Sequence, residues 1–263
     1  LNTLSKHVSH FIICEANFNH NGTEKKLKFN INDFAKFKDK IIYLPLERQP
    51  NDLKVINSND NIEIKNSKIL DNALLRENFQ RNHLKEGISD FHANDLIIIS
   101  DLDEIPNLKN FKYKNKITVF EQKMFYYKFN LMYPNFTWIG SKLCKKKDLH
   151  SPQALRNVKS KKYPLWRIDI QFSNKKYHNI DFVKNGGWHF TNVKNPEKID
   201  HKMKNFLHHL EYEESGLNTK ELEKIISEKK VMYDHHADKR SDKWSAGQTL
   251  TKIDDNSLPE YLK

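Results

Sequence analysis

Short apolar runs separated by polar stretches set the pattern of the first hundred positions. Leu1, Leu4 and Val8 recur at helical spacing, which predicts a helix at the start of the chain. Phe11-Ile12-Ile13-Cys14 reads as a strand ending at Glu15, and the polar stretch from Ala16 to Lys28, with Asn21-Gly22 inside it, reads as a loop. Ile41–Leu44 predicts a second strand, closed by Pro45. Ile69, Ala73, Leu74, Leu84 and Ile88 mark one face of a helix over residues 69 to 88, with Gly87 near the C-cap. Leu96-Ile97-Ile98-Ile99 does not alternate, which suits a central strand covered on both faces in a parallel sheet.

Beyond residue 110 the pattern changes. Ile117–Phe120, Met124–Phe129, Thr137–Ile139 and Gly187–Phe190 read as strands of a mixed sheet. Asn195-Pro196-Glu197 predicts a helix start, with Asn as cap and Pro in the first turn, running to about His209. A charged helix near Thr219–Met232 precedes an irregular tail. No repeat or flexible linker interrupts residues 1–263, so the chain reads as one α/β domain made of two fused halves.

Composition narrows the class. Of 263 residues, 37% are hydrophobic and 11% aromatic, enough for a folded core. The net charge of +11 is spread in small lysine groups, without an arginine-rich helix or an RNA-binding signature, so no nucleic-acid partner is expected. Such a basic surface reads first as a generally solvated face, and alternatively as one that meets an anionic donor, a glycan, a glycolipid or a membrane surface at its periphery. The two cysteines, Cys14 and Cys144, sit beside apolar residues and read as free thiols, which fits a cytoplasmic, reducing compartment. The chain opens at Leu1 instead of methionine, so its N-terminus reads as truncated; a Golgi lumen would follow for a eukaryotic chain whose N-terminal anchor had been removed.

The most informative stretch is Asp95-Leu-Ile-Ile-Ile-Ser-Asp101-Leu-Asp103-Glu104-Ile-Pro106. An apolar strand runs into three carboxylates, and ligands of open α/β sheets bind beyond the carboxyl ends of strands. Crowded anions repel one another unless a cation joins them. Oxygen ligands suit Mg²⁺ or Mn²⁺, and the Asp-x-Asp spacing on an extended backbone would send Asp101 and Asp103 to one ion. The alternatives are a turn cap, a metal-dependent phosphatase with an Asp-x-Asp nucleophile, and a non-catalytic glycan- or nucleotide-sugar-binding protein.

These residues resemble the signature of glycosyltransferase family 17, which includes β-1,4-mannosyl-glycoprotein 4-β-N-acetylglucosaminyltransferases. Phe11–Glu15 with Gly22 and Lys25–Leu27, Arg76–Asn82, Trp138–Gly140 with Gln153–Arg156, Gly186–Phe190, and Lys202 with Phe206–His208 are similar in order. The resemblance implies a GT-A-like nucleotide-sugar-binding fold with a mixed central sheet flanked by helices, its donor half at about residues 1–110 and its acceptor half at about 111–263. It further implies inverting transfer of a sugar, such as N-acetylglucosamine, from a UDP-sugar donor to a glycan acceptor with a divalent metal. Asp101, Asp103 and His208 would hold the metal, with His209 as the fallback. Glu15, Lys26, Arg76, Arg81, Asp101 and Trp188 would hold the donor. The general base is left open among Glu104, Asp181 and His189. The adjacent His235-His236 reads as incidental.

Overall fold

The computed structural model describes residues 1–206, 208–235, 244, 247–254, 256 and 258–262, so Leu207 and His236 lie outside the described residues. Two sheets carry the architecture. The first pairs β1 (Phe11–Ala16) with β2 (Ile41–Leu46) in parallel. Pro45 continues β2 instead of closing it, which is possible because β2 has a partner on one side only. Leu1–Val8 forms successive turns and not a continuous helix.

The second sheet has seven strands: β3 (Leu96–Ile99), β4 (Glu104–Pro106), β5 (Ile117–Tyr126), β6 (Leu131–Lys145), β7 (Ile180–Val183), β8 (Gly187–Thr191) and β9 (Thr251–Lys252). Its main path runs β3-β6-β5-β8-β4, and β7 joins β5 above β8. Pairing is mixed: β5 is parallel to β7 and β8, whereas β3–β6, β5–β6, β4–β8 and β6–β9 are antiparallel. The expectation of a mixed sheet flanked by helices is met.

The expected central position of β3 is not. It lies at the end of the path, antiparallel to β6, and its residues alternate: Ile97 and Ile99 are buried while Leu96 is exposed. Four apolar residues in a row therefore covered one face and left the other open. Likewise the two strands expected at 117–120 and 124–129 are one strand, β5, which ends at Tyr126 and pairs with a fifteen-residue β6 of which the pattern revealed only the middle. Pro134, Asn135 and the buried polar pair Ser141 and Lys142 hide the rest of β6.

Helix α1 (Ile62–His83) starts seven residues earlier than its apolar face suggests. Asn61 caps it by accepting from the Ile64 N–H at 2.9 Å, and its first two turns are mostly exposed, Ile62 and Ile64 included. Gly87 lies in the short turn that follows, where a Cβ would stand 2.7 Å from Ile12, so glycine admits β1. A five-residue helix α2 (Pro152–Arg156), capped by Ser151, comes next. Helix α3 (Pro196–Met203) starts on its Asn195 cap as expected but stops before α4 (His209–Glu214), and α5 (Thr219–Ser227) begins on Asn218. Ile199, Met203, Tyr212, Leu222 and Ile225 of these helices pack with Met124, Tyr126 and Tyr133 of the β5–β6 hairpin in the largest core cluster. Cys14 and Cys144 are both free. Among the described residues, no helix is long and apolar enough to cross a membrane.

Candidate active site at the end of the third strand

The chain leaves β3 at Ser100, whose hydroxyl donates to Ser141 on β6 at 2.6 Å, and reverses at once. The Glu104 N–H donates to the Asp101 carbonyl at 3.0 Å, and the Asp101 N–H donates to the Glu104 carboxylate at 3.1 Å. The Asp-x-Asp segment is thus a tight turn with Leu102 exposed at its tip, not an extended strand. The extended backbone expected for Asp101 and Asp103 is therefore corrected to a turn.

Arginines supply the cations that the crowded carboxylates require. Arg156, from the end of α2, places Nη2 2.7 Å from Asp101 and 2.6 Å from Glu104, and Nη1 3.0 Å from Glu104 and 2.7 Å from the Gly140 carbonyl. The guanidinium fork therefore grips Glu104 at two points and ties Asp101 to it. Arg81, near the end of α1, donates to Asp101 at 3.2 Å, to Glu77 at 2.7 Å, and to Gln153 of α2. Trp138 adds its indole N–H to Glu104 at 2.7 Å. The Glu104 side chain is 0% exposed and accepts from the Arg156 fork, Trp138 and the Asp101 N–H. These donors occupy its carboxylate oxygens, so Glu104 organises the turn and does not suit a general base.

Asp103 is held differently. Its backbone carbonyl accepts from the Phe190 N–H at 2.8 Å, which fixes it beside β8. Its carboxylate lies 3.3 Å from His189 Nε2, and a third of the side chain faces solvent. Burial pushes the Asp103 carboxyl upward, but the hydrogen bond and charge of His189 and the charge of Lys202 outweigh it, and the acid is held below its ordinary value. His189 stacks on Trp138 with centroids 4.5 Å apart, and among the described residues its buried Nδ1 has no hydrogen-bond partner. Lys202 donates to Asn192 at 3.0 Å, and burial lowers its pKa against the pull of Asp103. His189 therefore positions Asp103.

Backbone close approach builds this arrangement. Gly187 has φ +135°, and a Cβ there would stand 2.1 Å from the Ile105 carbonyl, so only glycine lets β8 lie against β4. The resulting register sets His189 opposite Glu104. On the other side, the buried Lys142 ammonium donates to the carbonyls of Arg156 and Val158 at 2.7 and 2.6 Å, which anchors the C-terminal end of α2. Burial and the nearby Arg156 charge bring Lys142 down to about 8, despite Glu104.

A family model described as glycosyltransferase family 17 matches residues 1–243. The chain belongs to glycosyltransferase family 17. No curated protein and no solved structure matches it. The transferase acts on a sugar donor and an acceptor, and the phosphatase and non-catalytic readings give way to that assignment.

The remaining expected residues fall in several places. In the transferase, Glu15 accepts from the Lys28 and Phe29 N–H groups and from the Tyr43 hydroxyl, so it closes the loop after β1. These bonds hold it below its ordinary value despite burial. Arg76 donates to Gln49 and to the His20 carbonyl and lies over Gly22, securing that same loop to α1. Lys26 is exposed on the loop. Trp188 packs with Phe125, Phe190 and Leu258, in the core and not over the carboxylates. Asp181 sits on β7 opposite Thr118, and among the described residues no hydrogen bond or ion pair joins it to the cluster.

His208 is held away from the turn by contacts of its own. It precedes α4, pairs with Glu211 at 2.9 Å, and lines a groove of 330 Å³ with Ser67 and Leu70 of α1. Among the described residues, no hydrogen bond or ion pair joins His208 to Asp101 or Asp103. His209 is no substitute, being buried with Nδ1 on the Phe206 carbonyl at 2.9 Å. Among the described residues, no group of three or more His, Cys, Asp or Glu side chains is placed to hold a metal ion. The donor chemistry at Asp103 still fits the hard-cation pattern in which a carboxylate shares the ion with substrate phosphates.

Arg156 and Trp138 were the residues whose roles the sequence concealed. A signal for the helix that carries Arg156 was present: Ser151-Pro152 is a cap followed by proline at the first helical position.

Proposed function

We propose that this transferase moves a sugar, N-acetylglucosamine by its family likeness, from a UDP-sugar to a glycan hydroxyl with inversion, in one catalytic domain of GT-A-like fold. The observation that carries the reading is Asp103: an ionised, part-exposed carboxylate fixed by His189 and β8 beside an Asp101 that two arginines neutralise. Asp103 would hold Mn²⁺ or Mg²⁺ jointly with the donor diphosphate, and Asp101 would join through lone pairs its arginines leave open. The ion would supply charge stabilisation to the departing diphosphate. Arg81 and Lys202 flank that position and add positive charge for the phosphates. Glu15, Tyr43 and Arg76 shape the loop after β1, which would bound the nucleoside end of the donor.

The test is a panel of UDP-sugars offered with and without Mn²⁺. Turnover should need the cation, and Asp103→Ala should lose roughly 10²–10³-fold in kcat, the scale of removing one group that stabilises transition-state charge, while still folding cooperatively. Cation-independent turnover, or an alanine variant of near-normal rate, would reject the assignment of Asp103.

A further inference from the structure

The stretch between α2 and β7 makes an excursion that the proposed chemistry does not use. Its stem is closed by the Lys159 N–H donating to the Lys175 carbonyl at 2.6 Å, and Ile170 pins it to the body by burial. Outward from this stem stand Leu165, Trp166, Ile168 and Phe172, each between 67% and 85% exposed. Large apolar side chains do occur singly on surfaces, but four within eight positions form a patch, and such patches mark interaction sites. Around them residues 159–176 carry six basic groups, Lys159, Lys161, Lys162, Arg167, Lys175 and Lys176, against a single acid, Asp169.

We propose that this loop docks the protein on an anionic lipid bilayer, with Trp166 and Phe172 at the headgroup boundary, Leu165 and Ile168 beside them, and the lysines on the lipid phosphates. Charge and side-chain type together select this partner. A second copy would bring one cationic patch against another. A nucleic acid would take the lysines and stack on the two aromatics, but it has no place for Leu165 and Ile168, whereas an acyl region accepts all four. Tryptophan is the side chain most at home where apolar and wet layers meet. The lysines gain from the negative surface potential.

Co-sedimentation of the protein with vesicles of phosphatidylcholine alone, and of phosphatidylcholine mixed with phosphatidylglycerol, tests the proposal. Binding is expected to the anionic vesicles and to fall as salt rises. Trp166→Ala with Phe172→Ala should reduce it by more than about tenfold, and each of Lys161→Gln and Lys162→Gln by about fivefold. Because these side chains are exposed, the variants should keep the parent melting temperature, which separates lost docking from lost folding. Equal partitioning into neutral and anionic vesicles, or undiminished binding by the aromatic double variant, would overturn the proposal. A dimer in sedimentation velocity that the double variant dissolves would overturn it in favour of a second copy, and salt-sensitive RNA binding without vesicle binding in favour of nucleic acid.

Discussion

Glu104 and Asp103 are neighbours in sequence with opposite fates, and the difference lies in which donors reach them. Glu104 is sealed under the Arg156 fork and Trp138, whereas Asp103 meets one imidazole and the solvent. Removing Arg156 would strand a fully buried carboxylate, so Arg156→Met should cost about 3–5 kcal/mol of stability. Combining it with Glu104→Met should restore much of that loss, because both charges then leave together. Denaturant unfolding of the three proteins checks this, and a double variant no more stable than Arg156→Met would refute the pairing. A second test concerns Asp103. Its folded pKa is depressed, so its contribution to stability is present above the unfolded value and is lost as pH falls through the folded one. His189→Phe removes the opposing hydrogen bond and charge and leaves burial dominant, so the Asp103 carboxyl should titrate at higher pH in the metal-free protein. His189→Gln should shift it less, since an amide still donates. Carbon NMR of the aspartate carboxyls reads the shift directly, and an unmoved Asp103 would show that His189 does not hold it. The sequence displayed the carboxylates plainly. It concealed their cations, because Arg81 and Arg156 arrive from elements separated by some 75 positions of chain and only folding brings them together.

Elements were legible where side-chain pattern and cap chemistry agreed. β1, β2 and β8 were found from their apolar runs, and α3 from its Asn-Pro start. Elsewhere burial followed a logic that periodicity cannot express. The β6 strand buries Ser141 and Lys142 because Ser100, Gln122 and the carbonyls at the end of α2 satisfy them, so its polar residues looked like loop. The first two turns of α1 are mostly exposed, with Ile62 and Ile64 facing solvent, so only the Asn61 cap marked the true start. β8 links an element to the site through one residue. At φ +135°, with the Ile105 carbonyl in the place of a side chain, Gly187→Ala should cost at least about 1–3 kcal/mol from backbone conformation alone. The clash should also push β4 from β8 and disturb the Glu104–His189 register, lowering transfer activity beyond what partial unfolding explains. Gly216→Ala is the contrast: its φ is +70°, but a Cβ there meets nothing within 4 Å, so only the conformational cost applies. Melting temperature and residual kcat, measured on both variants at a temperature where each is folded, would distinguish them. Equal losses of activity would remove β8 from the account.

At the scale of the whole molecule, the site lies on a seam. Arg81 comes from the helix packed on the β1–β2 sheet, and Arg156, Asp103 and His189 come from elements of the seven-stranded sheet or packed beside it. A ligand that engages Asp103, Arg81 and Lys202 together would join both sheets, so its binding should stabilise the entire fold and not one region. A ligand bound to the folded state alone adds about 2.7 kcal/mol at a hundredfold excess over Kd, which for a chain of this length raises Tm by roughly 5 °C. UDP with Mn²⁺ should produce that rise in the parent protein. Asp103→Ala should melt somewhat below the unliganded parent, since the attraction of His189 and Lys202 for its carboxylate is lost, and the rise on adding UDP and Mn²⁺ should be largely lost with it. UDP with EDTA should give a smaller rise than UDP with Mn²⁺ in the parent. The combination matters because each outcome has a separate meaning. An equal rise with EDTA would assign the diphosphate to the arginines and Lys202 without a cation. An undiminished rise in Asp103→Ala would place UDP somewhere other than this turn.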